Sequence, residues 1–193
     1  MWDEIRRGES FFLTDMELGL LLEAKGILSF QGFPLLHLPN TEEEILQTLF
    51  QMTGKGFLKA EGEEFLVAKE IGACLEILEM ARGVLGLIPA ENQFPQLSCY
   101  PGDEVLAIEP SAFREETYKI WRMSWRDLEI WIKGSGTRIE ASYCLKGSQA
   151  PVWQARLKNR QMGLYLETDK GEEKFSPERL KKEIEKMEEA LLR

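Results

Sequence analysis

Histidine, the side chain that most often serves as a catalytic base, occurs once in this sequence. His37 lies between two leucines and two residues before Pro39. A Ser-His-Asp or Cys-His hydrolase would have to use it, but the chain has no G-x-S-x-G motif. An extended segment that leads into a proline also holds a base poorly. We therefore predict a structural or surface role for His37.

The three cysteines also give no indication of a catalytic site or a metal site. Cys74, Cys99 and Cys144 stand 25 and 45 residues apart and form no CxxC pair. Zinc sites need three or four ligands with short spacings, so we expect neither a metal nor another cofactor. Three cysteines cannot all pair, which is typical of a reducing compartment, and we expect a cytoplasmic protein.

The remaining candidates for a functional site are acidic and glycine-rich segments, which could bind a metal ion or a phosphate. The acidic residues form two short clusters, Glu42, Glu43, Glu44 and Glu61, Glu63, Glu64. Either cluster could hold a divalent cation, but charge at a helix N-terminus explains the first and a solvated turn the second. The sequence Gly134-Ser135-Gly136-Thr137 lies between two predicted strands, which favours a hairpin turn over a phosphate loop. We expect that the protein is not an enzyme. A catalytic pair of acidic side chains that come together only in the folded chain remains an open alternative.

Composition and charge exclude several broad classes. The chain has 193 residues with 44% hydrophobic and 30% charged side chains, which is ordinary for one globular domain or two small ones. Its start lacks a signal peptide and its apolar runs are short, so we expect no membrane insertion. The net charge of −9 resides entirely in residues 1–93, whereas residues 94–193 are neutral. The two halves are therefore built differently.

Helices are predicted for the first half. Two capping boxes, Thr14 with Glu17 and Thr41 with Glu44, each precede an apolar stripe, and a third helix is predicted from Ala68 to about Gly83. Short apolar runs around Gly62 predict a hairpin. The segment Thr41–Val67 thus resembles a winged-helix unit, but its helix is acidic, and phosphate contact needs basic residues. We predict no nucleic-acid binding.

Strands are predicted for the second half, where the hydrophobic period becomes 2. The runs are Val105–Glu109, Thr117–Met123, Asp127–Lys133, Thr137–Leu145, Val152–Leu157 and Gly163–Thr168. Ser176 and Pro177 then begin a C-terminal helix. The predicted fold is α+β: N-terminal helices with a short hairpin, then a five- to six-stranded antiparallel sheet and a C-terminal helix. The predicted parts are residues 1–93 and 94–193, or one composite domain.

One tryptophan in the predicted sheet is a candidate contact. Strand alternation would place Leu128, Ile130 and Ile132 in the core, and Trp131 with Glu129 and Lys133 on the wetter face. An exposed tryptophan is a frequent partner-binding residue. The alternative is that the C-terminal helix covers Trp131 through Leu180, Ile184 and Met187. Both interpretations stay open at this point.

The order of signals over about residues 11–145 resembles the EspG family of type VII secretion chaperones. The similar stretches are Phe12-Leu13-Thr14-Asp15-Met16-Glu17-Leu18, Gly26, Phe33-Pro34-Leu35-Leu36 and Lys55-Gly56-Phe57-Leu58. The resemblance implies a cytosolic, non-enzymatic protein that keeps a helical secretion substrate soluble. It carries over no individual binding residue, and this chain is shorter than those proteins.

These observations converge on one expected function with one alternative. We expect a non-enzymatic cytosolic adaptor or chaperone whose partner is a helical protein client or secretion substrate. The alternative is a winged-helix-like regulatory or nucleic-acid-binding module. The sequence leaves the client and the oligomeric state open.

Overall fold

Helices cover both faces of a large antiparallel sheet in the computed structural model of the protein. The structure describes residues 9–27, 31–32, 37–62, 64–91, 93–148 and 150–190. Within these ranges the elements, in chain order, are β1 (Phe11–Thr14), α1 (Asp15–Ala24), α2 (Glu42–Gly54), β2 (Leu58–Glu61), β3 (Glu64–Val67), α3 (Lys69–Met80), β4 (Gly83–Pro89), β5 (Leu97–Tyr100), β6 (Val105–Pro110), β7 (Thr117–Met123), α4 (Trp125–Gly134), β8 (Arg138–Leu145), β9 (Pro151–Arg160), β10 (Gly163–Thr168), β11 (Gly171–Lys174) and α5 (Pro177–Ala190).

The first three helices and the hairpin agree with the sequence patterns. Thr14 and Thr41 are N-caps, and each forms the predicted capping box with the glutamate three residues later. In α3, Ile71, Cys74, Leu75 and Leu78 are buried along one face, as their helical spacing predicts. Strands β2 and β3 pair antiparallel with each other and form a separate two-stranded sheet.

The main sheet is larger than predicted. It has nine strands among the described residues, in the order β1-β7-β6-β5-β4-β8-β9-β10-β11, in place of the expected five to six. Strand β5 is buried throughout and β4 is buried except at Gly86 and Ile88, so neither shows a clear polar-apolar alternation, while β1 and β11 are only four residues long. Neither pattern gives a period-2 signal of useful length.

The proposed division at residue 93 crosses this sheet. Strand β1 forms one edge, and β4 lies in the interior between β5 and β8, although both precede residue 93. Removing residues 1–93 would therefore take out an interior strand. The division into two parts stays a prediction, and the sheet draws strands from both sides of it.

The segment predicted as a strand at Asp127–Lys133 is wrong, because helix α4 runs from Trp125 to Gly134. Ser124 caps the helix: its Oγ accepts from the Asp127 N–H at 3.1 Å, and Asp127 Oδ2 accepts from the Ser124 N–H at 3.1 Å. Leu128 and Ile132, four residues apart, are buried, while Ile130 is 62% exposed. The apolar residues at 128, 130 and 132 match the alternating pattern of a strand. The N-cap at Ser124 nevertheless begins a helix, in which residues four apart share a face. Gly134 and Ser135 consequently end a helix and form no hairpin turn.

Two cores lie on opposite faces of the sheet. The first core contains residues from α1 and α3 together with Leu106 and Ile108 of β6. The second core contains Leu128, Ile132, Leu180 and Ile184 of α4 and α5, with Val105 and Ala107 of β6. Consecutive residues of β6 therefore alternate between the two cores, as strand geometry requires. The C-terminal helix stripe is confirmed at Leu180 and Ile184, whereas Leu191 lies outside the described residues.

Candidate protein-binding surface

Helix α2 leaves two large apolar side chains in solvent. Phe50 is 73% exposed and Leu46 is 47% exposed, whereas Met52 on the same helix is fully buried. Residues four apart lie on one side of a helix, so Leu46 and Phe50 are neighbours. With four polar residues they line a shallow depression, which we call the α2 surface: Glu42, Glu43, Leu46, Gln47, Phe50 and Gln51.

The N-terminal part of α2 is stabilised by hydrogen bonds within the segment, and the buried residues of the helix are Thr48 and Met52. At its N-terminus, Glu44 Oε2 accepts backbone N–H groups from Asn40 at 3.0 Å and Thr41 at 3.1 Å. These hydrogen bonds lower the pKa of Glu44, because they favour the ionised carboxylate. Inside the helix, the Thr48 hydroxyl donates to the Glu44 carbonyl at 2.7 Å, so this buried polar group is satisfied.

An ion pair ties the end of α2 to the start of α1. Lys55 Nζ lies 2.7 Å and 2.8 Å from the two carboxylate oxygens of Glu17, whose side chain is fully buried. Glu17 Oε2 also accepts the Thr14 backbone N–H at 3.0 Å. The Lys55 ammonium group and the Thr14 N–H thus balance the charge of the buried Glu17 carboxylate. Breaking the ion pair would leave that charge buried without a partner. This ion pair thus joins the C-terminal end of α2 to the first turn of α1.

The charge of the α2 surface is negative. Glu42 and Glu43 lie in the first turn of α2, where the helix dipole favours acidic side chains. The 13 residues of α2 include no lysine and no arginine. An exposed apolar pair beside two carboxylates is suited to a partner that supplies both apolar and basic side chains.

The residues that sequence reasoning selected do not form one outward patch. Glu129 and Lys133 form an i,i+4 ion pair of 2.6 Å along α4. Two residues along a helix correspond to a rotation of about 200°, so Trp131 lies on the other side of α4 from this pair. Its side chain is partly buried and packs against the second core. The outward orientation expected for Trp131 is wrong because the segment is helical, while its partner-binding role stays a prediction.

A helical projection could have identified the α2 surface from the sequence. Ile45, Leu49 and Met52 fall within about 60° of one another, whereas Leu46 and Phe50 lie about 100° or more around the helix from Ile45. A core-facing stripe is about 100° wide, so the five apolar residues cannot all face one core.

His37 has the structural environment that its position predicts. Its Nδ1 lies 2.9 Å from Glu116 Oε1, and both side chains are about half exposed. Its backbone N–H donates to Asp15 Oδ2 at 3.1 Å. These contacts connect the segment before α2 to α1 and to the turn before β7. Among the described residues, no group of three or more histidine, cysteine or acidic side chains is placed to hold a metal ion.

The cysteines differ in their surroundings. Burial raises the pKa of the Cys74 thiol to about 12 and also raises that of Cys99, because a thiolate in an apolar core is poorly solvated. Cys144 is only partly buried. All three are free thiols.

We expect Cys144 to react first with a thiol reagent such as DTNB, because only thiolates attack it and the other two thiols stay protonated. Cys144→Ser should remove the fast phase, and Cys74 and Cys99 should react only after unfolding. A fast phase of unchanged size in Cys144→Ser would contradict this assignment.

The sequence matches no protein-family model, and no similar protein was found among curated proteins. In the described part of the chain, no helix is both long and apolar enough to cross a bilayer. The fold and the α2 surface are therefore the basis on which a function can be proposed.

Proposed function

We propose that this chain is a non-enzymatic, protein-binding adaptor or chaperone that receives an amphipathic helix of its client on the α2 surface. The observation that carries the proposal is the exposed pair Leu46 and Phe50 on a helix that an ion pair joins to α1. Amphipathic helices bind such surfaces through apolar anchors spaced i, i+3/i+4 and i+7. Aromatic residues are enriched among the energetically dominant contacts.

Charge defines the client further. Glu42 and Glu43 flank the apolar pair, and residues 1–93 carry the whole net charge of −9. A client helix with lysine or arginine beside its apolar anchors would be attracted, with an association rate that falls as salt is added. A nucleic acid would be repelled, which disfavours the winged-helix alternative even though hairpin β2–β3 follows α2.

Other exposed apolar residues support this choice of surface. Phe113, Met162 and Met80 are more exposed than Phe50, but the first two lie outside helices and strands and Met80 is the last residue of α3, so none of them has an exposed apolar neighbour one helical turn away as Phe50 has in Leu46. Single exposed apolar residues are normal on protein surfaces. On the hairpin whose strand β2 contacts α2, Phe65 and Leu66 of β3 are each 43% exposed, and as consecutive strand residues they point to opposite faces.

The cysteines and the family resemblance bear on the location of the protein and on the kind of client it binds. A cytoplasmic location agrees with three free thiols, two of them buried. The likeness to EspG chaperones favours a secretion substrate as the client, bound so that its apolar helix stays covered. Keeping such a helix covered requires binding and no chemical step.

The test is selection of helical peptides from a phage-displayed library on the wild-type protein. We expect enriched peptides with apolar residues at i, i+3/i+4 and i+7 and with flanking lysine or arginine. Phe50→Asp should weaken their binding about 30-fold, the equivalent of about 2 kcal/mol, since it puts a charge in place of the central anchor.

Met162→Asp is the matched control, because Met162 is 86% exposed in the turn between β9 and β10. It should leave the affinity within about twofold of wild type, as an unrelated surface substitution would. Peptides that bind Phe50→Asp as tightly as wild type would contradict the proposed surface. Enriched peptides without basic residues would contradict the proposed role of charge.

A further inference from the structure

Residues 1–8 contain the kinds of side chain that the α2 surface is suited to bind. They lie outside the described residues, and only their sequence is used here. Trp2 and Ile5 are large apolar residues three positions apart, and Arg6 and Arg7 follow directly. The α2 surface presents an exposed apolar pair beside two carboxylates, which is the complementary chemistry.

Strand β1, which follows this segment, begins beside the C-terminal end of α2. The ring of Phe11, the first residue of β1, meets the ring of Phe57 edge to face, with the two centroids 6.0 Å apart. Phe57 lies just past the last turn of α2, because its N–H donates to the Met52 carbonyl at 2.9 Å. Residues 1–8 are therefore connected to the molecule close to the helical turn that carries Phe50.

The chain before Phe11 is long enough to reach the exposed side of α2. An extended chain covers about 3.4 Å per residue, so Ile5, six residues before Phe11, can lie up to about 20 Å from it. Phe50 is about 6 Å along the helix axis from Gly54, where α2 ends, and a helix with its side chains is about 10 Å across. Trp2 has three residues more and can reach one turn further, to Leu46.

The charges favour this surface over other apolar sites. The two arginines adjoin Ile5, whereas the six residues of the α2 surface include two carboxylates and no cation. Asp3 and Glu4 balance the arginines, so residues 1–8 have no net charge. We therefore expect the apolar contact to supply most of the affinity, and the arginines to select an acidic surface.

We propose that residues 1–8 occupy the α2 surface in the absence of a client, with Trp2 and Ile5 against Leu46 and Phe50, and that a client helix displaces them. This inference rests on the proposed function, because it assigns the segment to the client site. The exposed apolar pair is then covered until a client binds.

A weak contact is sufficient for this role. A segment joined to its site by a short linker has an effective concentration of about 1 mM, so a Kd of about 0.3 mM fills the surface about three quarters of the time. A client then binds about fourfold more weakly than it would to an empty surface.

The first test needs no client. The protein is labelled with fluorotryptophan, and the Trp2 signal in the ¹⁹F NMR spectrum is the one that Trp2→Phe removes. We expect Phe50→Asp to move this signal towards its position in urea-unfolded protein, because the indole loses its contact. Met162→Asp, in the turn between β9 and β10, is the control and should leave the signal unchanged.

Two outcomes of the first test would overturn the inference. One is a Trp2 signal that Phe50→Asp does not move. The other is a signal whose position depends on protein concentration, since the occupant of the α2 surface would then be a second copy of the chain.

The second test measures the affinity of a selected client peptide for a Trp2→Ser, Ile5→Ser double variant. We expect binding about fourfold tighter than to wild type, because the competing segment is weakened. A Phe113→Ser, Met162→Ser double variant is the matched control, since it removes two exposed apolar side chains elsewhere and should change nothing.

The two tests separate this inference from the proposed function. Unchanged affinity in Trp2→Ser, Ile5→Ser, together with weakened binding in Phe50→Asp, would overturn the inference and leave the client site in place. If no peptide binds the α2 surface but Phe50→Asp still moves the Trp2 signal, the proposed function fails and the contact of residues 1–8 with α2 is supported.

Discussion

Gly83→Ala is expected to lower the free energy of unfolding by about 3 kcal/mol, the largest effect of any single methyl group that we propose to add. Gly83 begins β4 beside β8, and a Cβ there would lie 2.6 Å from Cζ of Tyr143 and even closer to the Cys144 carbonyl oxygen. The carbonyl is backbone within the sheet and cannot move away cheaply. The Tyr143 ring is fully buried, and its hydroxyl donates to Glu188 of α5.

Gly72→Ala is the matched control for this substitution. Gly72 lies inside α3, and a Cβ there would meet nothing within 4 Å. Alanine has a higher helix propensity than glycine, so this variant should gain about 0.5–1 kcal/mol. Urea unfolding followed by circular dichroism measures both variants. Equal stability of Gly83→Ala and wild type would show that β4 and β8 do not approach as closely as described.

Trp131→Ala is expected to lower the free energy of unfolding by about 2 kcal/mol, less than for a fully buried tryptophan. Its side chain packs against the second core, which also contains Leu180 and Ile184 of α5. Removing the indole should therefore loosen the contact between α4 and α5 as well as leave a cavity. This is the outcome expected if the molecule itself covers Trp131.

Ile130→Ala is the control, because Ile130 immediately precedes Trp131 in α4 and is 62% exposed. It should change stability by no more than about 0.5 kcal/mol, as surface substitutions do. Thermal and urea unfolding of both variants provide the comparison. A Trp131→Ala protein with unchanged stability and weakened peptide binding would instead assign Trp131 to the partner surface.

The sequence predicted elements well where a cap and a long periodic segment coincide. Thr14, Thr41 and Ser176 each mark a helix that the structure contains. The failure at Trp125–Gly134 has the opposite cause, since apolar residues at 128, 130 and 132 imitate a strand in a helix of ten residues. The capping pair Ser124 and Asp127 was the signal that could have decided the period.

Interior strands and very short strands could not be predicted from the sequence, for a different reason. In strand β4 all residues except Gly86 and Ile88 are buried, and its sequence has no polar side chain to mark an alternation. Groups of residues that come together by pairing across strands also cannot be recognised from the sequence of a single segment. Ser98, Gly86 and Ser142 come together only through the order β5-β4-β8, which no local pattern specifies.

We propose that the α2 surface selects a client helix by its apolar anchors and its basic charge. The most direct measurement is the affinity of a selected lysine-flanked peptide, and of its glutamate-flanked twin, for wild type and for a Glu42→Lys, Glu43→Lys double variant. Wild type should bind the lysine-flanked peptide at least about tenfold more tightly than its twin, and the double variant should reverse this preference. The same order of affinities in both proteins, with the variant folded by circular dichroism, would contradict it.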